Sequence, residues 1–154
     1  MAMAKTLLIV NGPNLNMLGR REPSIYGSET YDDLQMFCRS EAQKRGYLVE
    51  IFQSNSEGEI ITRLNRAMTG NYVGVIINPA AYTHYSYAIY DALLMLSVPK
   101  IEVHLTNIYN RESFRINSVT APACDRQISG RGFNGYAEAM DLITMFLEER
   151  ERGR

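Results

Sequence analysis

The chain has 154 residues, of which 45% are hydrophobic and 21% charged, proportions typical of a soluble globular protein. Its 16 basic and 17 acidic residues provide no electrostatic case for binding nucleic acid or an acidic membrane. The length predicts a single domain spanning residues 1–154, with a charged tail from about residue 148. No signal-peptide pattern or apolar run of about 20 residues is present, which predicts a cytoplasmic protein without a membrane partner. Cys38 and Cys124 are expected to be buried free thiols, rather than a disulfide or a nucleophile.

Apolar runs with strand character alternate with helix-period segments along the whole chain. Strands are predicted at 5–11, 47–54, 73–78, 100–105 and 126–129, and helices at 31–45, 57–68, 83–96 and 135–150. Because helical crossovers join the strands, the pattern predicts an α/β, three-layer fold with a five-stranded parallel sheet. Right-handed crossovers leave few topologies, and we predict the flavodoxin-like strand order 2-1-3-4-5.

The polar residues of the sequence follow three of these strands. In such a sheet, ligands bind beyond the carboxyl ends of the strands, where the strand order reverses. The predicted order places side by side the segments 11–14 "NGPN", 78–84 "NPAAYTH" and 102–107 "EVHLTN". All three are rich in amide, hydroxyl or imidazole groups. We therefore predict a ligand site at this edge of the sheet.

The two histidines of the chain both belong to this edge. His84 is predicted at the start of the third helix, where the helix dipole opposes an imidazolium and favours a neutral ring. His104 alternates with Glu102 along one strand, so the two side chains point the same way. A carboxylate beside an imidazole can fix its tautomer and favour its protonated form, which suits a proton donor. A purely structural Glu–His pair is the alternative.

Other kinds of chemistry have weaker support in the sequence. Two histidines and a glutamate could in principle hold a metal, but no recognised ligand spacing is present. Lys5, Lys44 and Lys100 all lie away from the polar edge, which argues against a Schiff-base mechanism. Neither a dinucleotide-binding glycine motif nor a phosphate-binding loop is present. The sequence thus favours proton chemistry without a cofactor or a metal.

The loop after the first strand, 11–27 "NGPNLNMLGRREPSIYG", carries Arg20, Arg21 and Tyr26. A tyrosine base near pH 7 requires its pKa to fall by about 3 from its usual value, equivalent to about 4 kcal/mol. One exposed ion pair supplies at most about 1 kcal/mol, whereas an arginine closing over the tyrosine in a water-excluded site can supply more. A surface arm that binds a partner is the alternative reading of this loop.

The predicted third helix is apolar on two sides. One face is expected to pack on the sheet and comprises Tyr85, Ala88, Ile89, Ala92, Leu93 and Leu96. A second, also largely apolar, face comprises Tyr87, Tyr90, Asp91 and Leu94. Since tyrosine is enriched at interfaces, the second face predicts a subunit contact, with an ordinary amphipathic surface as the alternative.

Several co-linear motifs resemble type II 3-dehydroquinate dehydratases, in order and at the right separations, from about residue 7 to residue 147. They are "NGPNLNMLGRREPSIYG", "QSNSEGEII", "NPAAYTHYSYAIYDAL", "IEVHLTN" and "NRESFR". The resemblance implies a flavodoxin-like fold without a flavin and trimers that assemble into a homo-dodecamer. It also implies removal of water from 3-dehydroquinate to give 3-dehydroshikimate, without a metal, cofactor or Schiff base. This step is common to shikimate biosynthesis, which supplies the aromatic amino acids, and to quinate breakdown.

The resemblance assigns catalytic roles to five residues. Tyr26 matches the base that removes the C2 proton to give an enolate, and Arg21 matches the arginine that favours the phenolate as the loop closes. Asn14 matches the asparagine that stabilises the enolate with an ordered water. His104 matches the acid that protonates the departing C1 hydroxyl, and Glu102 the carboxylate that orients it.

Binding positions follow from the same resemblance. The side chains are those of Asn78, His84, Arg111 and Arg115, and the backbone amides those of Leu105 and Thr106. Asp91 matches an aspartate that reaches the active site of a neighbouring subunit. The rival hypotheses are another dehydratase or lyase for a small hydroxylated acid, and a flavodoxin-like binding or regulatory module. A binding module, however, has no need of a matched base and acid.

Overall fold

The computed structural model describes residues 4–20, 24 and 28–153. Its centre is a five-stranded sheet in which all neighbouring strands are parallel, in the order β2-β1-β3-β4-β5. The strands are β1 (Lys5–Asn11), β2 (Tyr47–Gln53), β3 (Tyr72–Asn78), β4 (Lys100–His104) and β5 (Arg126–Ser129). The predicted fold class and strand order are confirmed.

Helices cover both faces of the sheet. They are α1 (Tyr31–Lys44), α2 (Glu57–Ala67), α3 (Tyr87–Leu94) and α4 (Asn134–Arg152). Successive side chains of β1 point to opposite faces, so Leu7 and Ile9 pack with α1 and α4, whereas Leu8 and Val10 pack with α2 and α3. The resulting two-sided core fixes the strands and leaves their carboxyl ends to carry polar groups.

Local features of the sequence set both ends of α1. Thr30 and Asp33 form a capping box: Asp33 N donates to Thr30 Oγ1 at 3.1 Å, and Thr30 N donates to Asp33 Oδ2 at 2.9 Å. Gly46 follows the helix with φ 78°, a left-handed conformation suited to glycine. These local signals explain why the first helix was predicted to within one residue.

The predicted third helix, residues 83–96, is wrong at its start. Residues Ala80–His84 form a 3-10 turn, and α3 begins only at Tyr87. Ser86 caps α3, because its backbone is extended and its Oγ accepts a hydrogen bond from Ile89 N at 3.0 Å. The hydroxyl of Thr83 lies instead 2.7 Å from Ser118 Oγ. The Thr83 hydroxyl is thus engaged in a tertiary contact.

The face of α3 that packs on the sheet is consequently shorter than predicted. Ile89, Ala92 and Leu93 are buried as expected. Tyr85 precedes the helix and is 60% exposed, so its prediction as a sheet-packed residue is wrong. Ala88 is exposed as well, so its prediction as a sheet-packed residue is also wrong.

Other predicted boundaries differ from the observed ones by one or two residues. At the C-terminus, α4 continues to Arg152, so most of the predicted charged tail is helical. Arg150 and Arg152 lie in the last turn, where positive charges interact favourably with the helix dipole. Arg150 Nη1 also donates to Ser97 O at 2.7 Å. Of the helices in the described ranges, none has both the length and the apolar character that crossing a membrane requires.

The two cysteines are free thiols, as predicted. Cys38 lies on the buried side of α1, and burial raises its pKa to about 12. Cys124 is partly buried, and burial raises its pKa as well. Because the thiolate is the reactive form, both environments oppose a nucleophilic role.

Candidate active site

A cleft of about 540 Å³, partly continuous with solvent, lies at the carboxyl edge of the sheet between the ends of β1, β3 and β4. Eight predicted site residues line it: Asn14, Asn78, His84, His104, Leu105, Thr106, Arg111 and Arg115. The structure therefore brings together at one edge most of the residues that the sequence singled out.

The ends of β1 and β3 approach each other closely at the floor of this cleft. Gly12 N donates to Asn78 O at 2.8 Å, and a Cβ atom on Gly12 would lie only 2.5 Å from Pro79 O. Only glycine permits this approach. Ala80 follows with φ 54°, and its amide donates to Asn78 Oδ1 at 3.0 Å. The asparagine side chain thus fixes the turn that follows β3.

A series of buried hydrogen bonds holds the Asn78 side chain. Asn78 Nδ2 donates to Tyr136 OH at 3.4 Å, and Tyr136 OH donates to Asn11 Oδ1 at 2.6 Å. All three side chains are almost fully shielded from water. Since buried polar groups require partners, this series of hydrogen bonds joins β1, β3 and α4 and limits the orientations open to Asn78.

Glu102 and His104 lie on the same side of β4, as the alternation predicts. His104 Nε2 is 2.9 Å from Glu102 Oε2, and the residues are 4% and 0% exposed. A carboxylate only accepts hydrogen bonds, so Nε2 carries a proton. His104 also lines the cleft, which makes Nδ1 the ring nitrogen left for a bound molecule.

Three further side chains donate to the Glu102 carboxylate. Ser118 Oγ and Gln127 Nε2 each lie 2.8 Å from Oε2, and Thr120 Oγ1 donates to Oε1. Burial alone would raise the pKa of Glu102, but the hydrogen bonds and the charge interaction with His104 hold this pKa below its ordinary value. Glu102 is therefore a buried carboxylate that stays ionised beside His104.

His84 is held by the backbone of a neighbouring loop. Its Nδ1 lies 2.8 Å from Asn117 O, so Nδ1 carries a proton and Nε2 of the neutral ring is an acceptor. Burial lowers the pKa of His84, although the Asn117 carbonyl partly opposes this. The predicted neutral ring is thus supported, but burial supplies the reason, because His84 precedes α3 by three residues.

Two arginines line the same cleft from the loop after β4. Arg115 Nε is 2.8 Å from Glu112 Oε2, and its guanidinium carbon is 5.1 Å from the centre of the Phe114 ring. The Arg115 side chain is only 20% exposed, so it is held near one conformation. Together with Arg111, it gives this wall of the cleft a positive character suited to an anionic ligand.

The turn that follows β4 is fixed through its carbonyl groups. Leu105 O accepts from Gly132 N at 3.0 Å, and Thr106 O accepts from Ser129 Oγ at 3.1 Å. Both residues line the cleft. The Leu105 carbonyl shares its peptide group with Thr106 N. The His104 carbonyl, which accepts from Gly130 N at 3.2 Å, shares its peptide group with Leu105 N. These contacts therefore set the orientation of the two amides that were predicted to bind a carboxylate.

Two predicted site residues that the structure describes do not line the cleft: Glu102, which is joined to it through His104, and Asp91. Arg21 and Tyr26 lie outside the described residues. Asp91 lies exposed on the outer side of α3 and does not line the cleft of its own chain. This position is compatible with a role toward a second subunit.

Sequence reasoning missed Ser118, Thr120 and Gln127, although they surround the Glu102 carboxylate. The hydroxyls at positions 118 and 120 are two residues apart just before β5, which is the one signal the sequence offered. Within the described ranges, no three His, Cys, Asp or Glu side chains are grouped as a metal site would require.

The fold and the site together define an α/β protein of the flavodoxin-like type with a carboxylate–imidazole pair at the carboxyl edge of its sheet. A model of the family "Dehydroquinase class II" matches residues 5–144, and the chain belongs to this family.

Known proteins similar to this chain agree with that assignment. A 3-dehydroquinate dehydratase of Thermotoga neapolitana is 53% identical over 146 residues, covering 95% of this chain and 99% of that protein. The crystal structure of a type II dehydroquinase from Butyrivibrio crossotus is 48% identical with a TM-score of 0.89, covering 91% and 97% of the two chains. That of a type II dehydroquinase from Propionibacterium acnes is 43% identical with a TM-score of 0.87, covering 94% and 99%.

Proposed function

We propose that the protein is a type II 3-dehydroquinate dehydratase, a hydro-lyase that converts 3-dehydroquinate to 3-dehydroshikimate without a cofactor. The main support is the buried Glu102–His104 pair, which borders a cleft lined by two arginines. The chain also belongs to the class II dehydroquinase family. The names of the similar proteins support the choice of substrate.

The first step in this proposal is removal of the C2 proton by the Tyr26 phenolate, which gives an enolate. The phenolate requires about 4 kcal/mol of preferential stabilisation at neutral pH. Arg21 supplies it when the loop carrying both residues closes over the bound substrate and excludes water. The length and the arginine content of the loop support this role.

The negative charge of the enolate oxygen needs a donor beside it. Asn14, at the beginning of the loop that follows β1, is proposed to donate a hydrogen bond to this oxygen together with an ordered water. Its position in the lining of the cleft, at the end of β1, is compatible with this role.

In the second step, His104 protonates the C1 hydroxyl as it departs. The proton leaves from Nδ1, while Nε2 stays bonded to the Glu102 carboxylate, which stabilises the imidazolium. The C–O bond breaks, the enolate collapses to the conjugated enone, and water is released. Tyr26 has gained the proton from C2 and His104 has lost one, so solvent exchange restores both groups.

Recognition of the substrate is assigned to the remaining groups of the cleft. Asn78, His84 and Arg115 are proposed to bind the ring hydroxyls and nearby oxygens, with Arg111 beside them. The backbone amides of Leu105 and Thr106 are proposed to hold the substrate carboxylate. The positive wall of the cleft and the acceptor at His84 Nε2 support this division of roles.

The proposal includes a homo-dodecamer built from trimers. The outer side of α3 supports a subunit contact there, since Tyr87 is 68% exposed and Leu94 is 52% exposed. Asp91, between them in sequence, is proposed to reach the active site of the neighbouring subunit.

One assay tests the proposed activity. Chelator-treated protein is mixed with 3-dehydroquinate, and the ultraviolet absorbance of the conjugated enone is followed. The proposal predicts a rise in absorbance that persists after chelation. Well-folded protein that gives no rise would contradict it, and a rise that returned only with added metal would contradict the metal-free mechanism.

A further inference from the structure

The segment 53–59, "QSNSEGE", follows β2 and has no part in the proposed chemistry. Strand β2 is at the edge of the sheet, and the segment does not line the cleft. Its side chains nevertheless make hydrogen bonds to the loops that do.

Asn55 is the residue of this segment that contacts both loops. Its Oδ1 accepts a hydrogen bond from Asn14 N at 3.0 Å. Its backbone carbonyl accepts from Tyr82 OH at 2.7 Å, which ties it to the turn after β3. Asn55 thus lies between the two loops that form the floor of the cleft.

Gln53 reinforces the same arrangement. Its Nε2 donates to Gly12 O and to Asn55 Oδ1, each at 3.1 Å. Asn55 Oδ1 therefore accepts two hydrogen bonds, one from Gln53 and one from the backbone of Asn14. This double contact holds the Asn55 side chain with its oxygen directed at the loop that follows β1.

Asn14 needs such support because its backbone is in the left-handed region, with φ 68°. Asparagine adopts this conformation more readily than most residues with a side chain, but still at a cost relative to glycine. The residue starts a 3-10 turn, yet its own side chain makes no capping hydrogen bond to that turn. The contact with Asn55 supplies the support from another part of the chain.

We infer that Asn55 is a positioning residue, whose side-chain oxygen holds the Asn14 backbone in the conformation that directs the Asn14 side chain into the cleft. The inference rests on the proposed function, which gives Asn14 its role at the enolate.

Two substitutions of similar size distinguish the effect of the hydrogen-bond acceptor of Asn55 from the effect of its side-chain volume. Asn55→Asp keeps an oxygen toward Asn14 N and should retain kcat within about twofold, whereas Asn55→Leu removes it and should lower kcat about tenfold, with KM changed less. Asn65→Leu, an exposed position on α2, is the matched control and should leave kcat unchanged. Equal kcat values for Asn55→Asp and Asn55→Leu would overturn the inference.

A double-mutant cycle distinguishes positioning from a general loss of stability. If Asn55 acts through Asn14, Asn55→Leu should cost little further activity in a protein that already carries Asn14→Ala. Two losses that multiply would show that Asn55 acts independently of Asn14, and would overturn the inference.

A second readout does not depend on activity. Hydrogen–deuterium exchange of peptides covering residues 12–18 should be about tenfold faster in Asn55→Leu than in the parent, and near the parent rate in Asn55→Asp. Unchanged exchange in Asn55→Leu would overturn the inference even in an active enzyme. Lack of turnover by the parent protein would contradict the proposed function and leave this exchange result intact. Should Asn55→Leu fail to fold, Asn55→Ala provides the same comparison.

Discussion

His104 Nε2 lies 2.9 Å from Glu102 Oε2 at the end of β4, and the two side chains are almost completely shielded from water. The carboxylate is held ionised by donors from two later segments of the chain, at 118–120 and 127. An ionised carboxylate fixes the ring and stabilises its charged form, so the pair is suited to protonating a leaving hydroxyl. The arrangement links the architecture of the sheet edge directly to the proposed chemistry.

Glu102→Gln should lower both activity and stability. An amide cannot accept all four donors, so we expect a loss of about 1–3 kcal/mol in unfolding free energy and a fall in kcat of about 10- to 100-fold. Urea denaturation at fixed protein concentration and the enone assay measure the two effects. Parent-like stability and turnover would contradict the role of the carboxylate.

The difference in unfolding free energy between the parent protein and Glu102→Gln should depend on pH. The pKa of Glu102 in the folded protein is below its ordinary value of 4.5, so its contribution is fully present above pH 4.5. It is lost as the pH falls through the folded pKa. The urea midpoints of the parent and Glu102→Gln should therefore converge at acid pH, and a constant difference would argue that Glu102 is not ionised.

His84 should titrate below the ordinary histidine value of 6.5. In the unfolded chain it binds its proton first as the pH falls, so the unfolding free energy decreases from pH 6.5 downward until the folded pKa is passed. NMR titration of the ring gives the pKa directly. His84→Gln should lack this part of the pH dependence; a His84 pKa at or above 6.5 would contradict the role of burial.

Ala80 offers a test of backbone conformation at the floor of the cleft. Its φ of 54° disfavours any side chain, so Ala80→Gly should raise the unfolding free energy by about 0.5–1 kcal/mol. Ala81→Gly, at an ordinary φ, should lower it by a similar amount. Thermal or urea unfolding compares the pair, and destabilisation by both substitutions would show that Ala80 is not strained.

The outer face of α3 should matter for assembly. A charge at an apolar contact is costly, so Tyr87→Glu should reduce the molecular mass measured by sedimentation. Met36→Glu, on the exposed side of α1, is the control and should leave the molecular mass unchanged. Unchanged assembly of Tyr87→Glu would place the subunit contact elsewhere.

Asp91→Asn separates assembly from catalysis. It keeps the size of the side chain and removes its charge, so the oligomer should form while kcat/KM falls about tenfold. Sedimentation and the enone assay on the same sample provide the comparison. A fully active variant in the native assembly would rule out a contribution of Asp91 to the neighbouring site.

The sheet and its polar edge were predictable because their signals are local. Alternating apolar strands and helical segments define a doubly covered parallel sheet, and the topology then brings Asn14, Asn78 and His104 to one edge. The start of α3 was not predictable, since Thr83 and Ser86 are equally good caps in sequence. What decides between them is the contact of Thr83 with Ser118, 35 residues away.

The supporting contacts of the site were equally hidden. Asn55 and Asn14 are 41 residues apart, and nothing in either local sequence indicates that they bond. Likewise, the donors to Glu102 lie 16 to 25 residues further along the chain. Residues that carry chemistry are recognisable by type and strand position, whereas those that hold them are found only in three dimensions.

The central claim is that Tyr26 removes the C2 proton and His104 then protonates the departing hydroxyl. Its most direct test follows, in D₂O, both deuterium uptake at C2 of 3-dehydroquinate and formation of the enone. His104→Gln should still catalyse the exchange at C2 while enone formation falls by at least about 100-fold, since only the acid is lost. Tyr26→Phe should lose both reactions. Exchange at the parent rate in Tyr26→Phe, or undiminished enone formation in His104→Gln, would contradict the account.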